Sequence, residues 1–137
     1  MVEVYMEKVR DLFDQRKEVT VKYIKGKTHM KVARKACEKY EDIRSWMEAG
    51  INNQTKAKTN LNPDSSRAHT LFEVNVTKLE MLEGNQIETK SKINLVDLAG
   101  SERLGKTGAT GQTMEEGKAI NLSLTALGQV IKALADN

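Results

Sequence analysis

The chain has 137 residues, 39% hydrophobic and 30% charged, which fits one soluble globular domain with a modest core and excludes a disordered tract. Twenty-two Lys and Arg against nineteen Asp and Glu leave a charge of +3, too mild to imply nucleic acid. The single cysteine, Cys37, excludes an internal disulfide and reads as a small buried apolar residue of a reducing compartment. No apolar stretch approaches bilayer-spanning length and the charged N-terminus is no secretory signal, so no membrane contact is expected and the cytoplasm is the default location.

In chain order, Val2, Val4 and Met6 alternate with polar neighbours and predict a short strand. The charged stretch from Arg10 to Glu18 reads as a turn or surface segment. Val19, Val21 and Tyr23 alternate again before Gly26. The Lys-rich stretch from Lys22 to Lys35 reads as a solvated face. From Tyr40, Ile43 and Met47 fall on one helical face with Trp46 beside them, all three as core, and Gly50 is placed to cap that helix. Residues 51–64 are polar and loop-like. Phe72, Val74 and Val76 then share one strand face, Glu83-Gly84-Asn85 turns the chain, and residues 93–98 return, which predicts a long antiparallel hairpin with an exposed turn. Finally, Thr113 with Glu116 has capping-box spacing, and Ile120, Leu124, Leu127, Ile131 and Leu134 recur at helical steps.

Two stretches carry chemistry. Residues 93–98 form an apolar strand that delivers Asp97 at its tip, with Gly100 three positions on. Such an acid can hold metal-bound water, and a glycine amide can approach a terminal phosphate closely because no Cβ intervenes. Upstream, Asn62-Pro63-Asp64-Ser65-Ser66-Arg67-Ala68-His69 offers hydroxyls and a guanidinium, which metal and phosphate also attract. Taken alone, Ser65 and Ser66 would read as a solvated turn. His69 reads as a structural histidine at a strand start, since zinc-site spacing is absent.

These motifs resemble those of the kinesin motor domain. Asn62-x-x-Ser65-Ser66-Arg67-x-His69 is similar to its first switch loop, and Asp97-Leu98-Ala99-Gly100-Ser101-Glu102 to its second. The likeness continues in Val2 to Leu12 and in Ile120-Asn121-x-Ser123-Leu124 with Leu127-Gly128-x-Val130-Ile131, and is weaker between Arg16 and Lys39. It implies an α/β fold, a fragment of the kinesin-type P-loop NTPase with a central mixed sheet flanked by helices, residues 1–137 being a partial motor domain. It also implies ATP and Mg. Ser66 and Asp97 would hold the metal, the latter through water, and Ser65 would position the attacking water. Asn62 and Gly100 would lie near the terminal phosphate, while Arg67 and Glu102 would pair to close the loops, with Glu102 accepting a proton by a water relay.

The implied partner is the microtubule, at the cytoskeleton. Arg103 and Lys106 match basic positions that face tubulin in the family, and a plain solvated surface explains them equally well. The sequence departs from the family pattern at Ala68, Gln54 and Leu122, where serine, arginine and lysine are usual. The stretch from Gly100 to Thr107 satisfies G-x-x-x-x-G-K-[ST], yet Gly108-Ala109-Thr110-Gly111 follows it where a phosphate loop runs straight into a helix. The resemblance places the true phosphate loop upstream of this segment. A middle block of that kind is expected to expose strand edges and apolar helix faces, and to be inactive alone. The implied function is part of a microtubule motor that hydrolyses ATP. Alternatives are a degenerate microtubule-binding module without turnover, and a different protein that uses Gly100 to Thr107 as its phosphate loop.

Overall fold

A computed structural model describes residues 1–58, 67–100 and 111–136. Its strands are β1 (Val2–Tyr5), β2 (Lys8–Asp11), β3 (Lys17–Val19), β4 (Val21–Ile24), β5 (Lys27–Met30), β6 (His69–Leu82) and β7 (Asn85–Asp97). Its helices are α1 (Tyr40–Lys58) and α2 (Gln112–Ala135). Five strands form one sheet in the order β3-β2-β1-β6-β7, and β4 pairs with β5 in a separate ribbon. All described pairings are antiparallel.

Alternation along β6 sets the layers. Successive strand residues point to opposite faces. His69 reaches Ser123 on α2, while its neighbour Thr70 receives a hydrogen bond from Gln54 on α1 at 3.0 Å. Phe72, on the Thr70 face, meets Phe13, which packs edge-on against Trp46 of α1. The two helices therefore cover opposite faces of the sheet, the sandwich that the resemblance implied.

The hairpin is the longest feature, with an unbroken ladder from Thr70↔Asp97 to Leu82↔Asn85. Glu83 and Gly84 close it with φ of 50° and 80°, the two-residue turn whose twist matches the strands. Away from the root β6 is thinly covered, with Leu79, Met81 and Leu82 exposed, and β7 is exposed along its whole length, Leu95 and Val96 at the root included. The outer edge of β7 has no partner strand among the described residues. On α2, Val130, Ile131 and Leu134 are likewise exposed. Open edges and bare apolar helix surface are what a middle block of a larger sheet should display.

Several expectations need correction. Residues 12–16 do turn between β2 and β3, with Asp14, Gln15, Lys17 and Glu18 exposed, but the stretch is not all surface: Leu12 is fully buried and Asp11 nearly so. The Asp11 carboxylate accepts from the Phe13 and Ala33 amides, and its carbonyl accepts from Arg16 N–H, so it organises this corner. Glu3 is buried too, paired with Arg16 and, at 3.6 Å, with Arg10. A charged stretch can thus form core when each charge finds a partner. Met6 leaves the strand and with Glu7 makes a tight turn at φ of 50° and 60°. Gly50 does not cap α1, which continues to Lys58; it is buried mid-helix, where the Met1 sulfur occupies the space a Cβ would need. Gly111, not Thr113, stands at the N-cap of α2, without a side-chain cap. Cys37 is exposed rather than buried, while Trp46 is half-buried with Lys35 Nζ 4.6 Å from its ring centroid.

Two predictions follow from these local geometries. Neither Met6 nor Glu7 is suited to positive φ, so Glu7→Gly should raise unfolding free energy by about 1 kcal/mol in denaturant titration of a motor domain carrying this segment. On the hairpin, hydrogen bonds from Lys92 and then Asn75 hold Glu73 below the usual carboxylate range. A lowered pKa contributes stability above the ordinary range, and that contribution is lost as pH falls through the lowered value. Glu73→Gln should flatten the acid side of the pH–stability curve, read by thermal melts.

Candidate functional site

The open end of the long hairpin brings the stems of the two signature loops together. Thr70 pairs with Asp97, so Arg67 and His69 on one arm and Leu98, Ala99 and Gly100 on the other emerge side by side. Asp97 is exposed at the last position of β7, and Gly100 is exposed three residues on. Ala99 between them is buried, and its N–H donates to His69 Nδ1 at 3.0 Å. Of the residues assigned to the site from sequence, Arg67, Asp97 and Gly100 therefore lie on the two chain segments that leave the open end of the hairpin, with the Arg67 side chain turned to α2. Asn62, Ser65, Ser66, Glu102, Arg103 and Lys106 lie outside the described residues, as does most of the Gly100 to Thr107 stretch.

Arg67 is anchored by an acid on α2. Its Nη1 donates to Glu116 Oε2, with the two side chains 15% and 1% exposed. Tyr5, at the end of β1, donates its hydroxyl to the other Glu116 oxygen at 2.6 Å. A carboxylate so buried must be compensated, and a guanidinium plus a phenol supplies both charge and hydrogen bonds. Among the described residues no group of three His, Cys, Asp or Glu is placed to hold a metal ion.

Glu116, Tyr5, Ser123 and Gln54 were not assigned to the site from sequence. Glu116 was legible only as a capping-box partner, a local reading that its contacts to β1 and to Arg67 override. Gln54, where the family usually has arginine, serves as the link from α1 to Thr70. Leu122, at a position often lysine, is 59% exposed on α2.

Comparison with known proteins agrees with this geometry. The family model "Kinesin motor domain" matches residues 1–137. This chain belongs to the kinesin motor domain family. It is 44% identical to the mouse kinesin-like protein KIF13A over 98% of its own length and 8% of that protein. It is 46% identical to the Drosophila melanogaster kinesin heavy chain, again over 98% of itself and 14% of the relative. Among solved structures, a KIF14 dimer in the two-heads-bound state, with AMP-PNP and in complex with a microtubule, superposes with a TM-score of 0.79 at 36% identity. That alignment covers 98% of this chain and 40% of the KIF14 chain. A fast kinesin gives a TM-score of 0.79 at 40% identity, covering 98% of this chain and 38% of that one. The kinesin segment thus spans well under half of these solved motor chains and a small fraction of the curated relatives.

Neutralising the acid removes the charge that Arg67 meets on α2 and leaves the buried Glu116 position with one fewer charge-assisted bond. Glu116→Gln should cost about 3 kcal/mol, whereas Tyr5→Phe should cost only about 1 kcal/mol. Urea unfolding of both variants in a motor domain carrying this segment checks that order.

Proposed function

We propose that this segment is the phosphate-sensing and filament-coupling part of a motor that hydrolyses ATP with Mg and ties the cycle to microtubule binding. The observation that carries this reading is the shared root of the hairpin, where the segments bearing Arg67 on one arm and Asp97 and Gly100 on the other leave the open end of one ladder. An exposed carboxylate at a strand tip and an exposed glycine amide are suitable donors for a metal–triphosphate group. The fold neighbours, one solved with AMP-PNP and a microtubule, add support for the same reading.

In this scheme Ser66 and Asp97 would hold Mg, Asp97 through water, and the metal when bound would neutralise charge on the phosphates. Asn62 and the Gly100 N–H would lie against the terminal phosphate. Ser65 orients the attacking water. Arg67 and Glu102 close the two loops over the nucleotide, and Glu102 takes the proton through a water relay. Little covalent chemistry is asked of these side chains; their work is orientation and charge stabilisation. Arg103 and Lys106 would face acidic tubulin, and the protein would then act on the microtubule cytoskeleton in the cytoplasm.

The test is co-sedimentation with microtubules and ATP turnover by a motor domain that contains residues 1–137. The expected result is pelleting with a non-hydrolysable ATP analogue, release by ATP, and a loss of about a hundredfold in kcat for Arg67→Ala. Pelleting indifferent to nucleotide, with no turnover, would mean a passive filament-binding module instead.

A further inference from the structure

We infer that His69 is a positioning residue that joins the backbone leaving β7 to α2 through one oriented chain of hydrogen bonds. The Ala99 N–H points at His69 Nδ1 from 3.0 Å, so that nitrogen must offer its lone pair. The ring proton therefore resides on Nε2. Nε2 lies 2.6 Å from Ser123 Oγ, which accepts that proton's hydrogen bond. The Ser123 hydroxyl in turn donates to the Ile120 carbonyl at 2.7 Å. Each donor has an acceptor, and the direction is fixed from Ala99 through the ring to the helix.

The ring touches three elements at once. It belongs to the first residue of β6, it holds the peptide two residues past β7, and it ends on α2. Ala99 is buried and directly precedes Gly100, so a displacement of the Gly100 peptide strains an amide whose hydrogen bond leads to α2. A rigid imidazole of fixed tautomer transmits that displacement. A flexible amide cannot, since asparagine supplies only the near acceptor and glutamine only the far donor. The inference rests on the proposed function in one respect: the event at Gly100 is contact with a terminal phosphate.

Two measurements on a motor domain containing this segment test it. Long-range ¹⁵N–¹H spectra of the imidazole, recorded without nucleotide, should show the neutral Nε2–H tautomer; an Nδ1–H or doubly protonated ring overturns the proposal. Amide exchange at Ala99 should speed up about tenfold in His69→Gln, which loses the near acceptor, and much less in His69→Asn, which keeps it. Ser123→Ala should lower microtubule-stimulated kcat by about tenfold with the KM for ATP unchanged, and Ser123→Thr, which restores a hydroxyl, should recover it to within about twofold. If Ser123→Ala turns over like the unmodified protein, the coupling role is wrong. Failure of the motor reading looks different: the unmodified protein would not hydrolyse ATP, while the imidazole spectrum and the Ala99 protection persisted.

Discussion

A carboxylate with almost no solvent access, Glu116, decides where the first turns of α2 sit against the sheet. Burying such a group is costly unless its charge is balanced and its oxygens are bonded. Tyr5 from the end of β1 and Arg67 from just before β6 meet that demand together. Ser123 lies seven residues further on, two turns along the same helical face, and meets His69. The helix is therefore held at two points by side chains that flank the start of one strand, and the position of Arg67 follows from that attachment.

The opposite face of β6 is organised by different chemistry. Thr70 and Phe72 turn toward α1, where Gln54, Phe13 and Trp46 receive them. Asn53 of the same helix donates to the Leu12 carbonyl at 2.8 Å, which fixes α1 over the buried corner built by Asp11 and Leu12. Polar ties on one face and aromatic packing on the other cover the β6 arm at the root of the hairpin. Toward the tip β6 loses both coverings, while the side chains of β7 are exposed from end to end.

The hairpin and α2 were legible because periodicity and the Glu83–Gly84 turn are local signals, while the layered α/β class came from the resemblance of the motifs. What failed depends on distant partners. Asp11, Leu12 and Glu3 look like surface residues until Arg16, the Ala33 amide and Asn53 are brought against them. Met6–Glu7 contains no residue that announces a turn, and its geometry is imposed by the pairing of Tyr5 with Lys8. Gly50 resembles a helix stop in sequence, yet its missing side chain makes room for Met1. In the site, Arg67, Asp97 and Gly100 were visible through their motifs. Glu116 was hidden because a helix-start reading already accounted for it.

The continuous β6–β7 ladder also constrains how this segment can change in length. A single residue inserted into either arm would invert the facing of everything beyond it and pull Ala99 out of step with His69. Matched additions near the tip, two residues per arm, would keep every side chain on its original face. Variation in size is therefore tolerated in paired steps at the distal end, while the proximal end behaves as a fixed gauge for the spacing between the two loops.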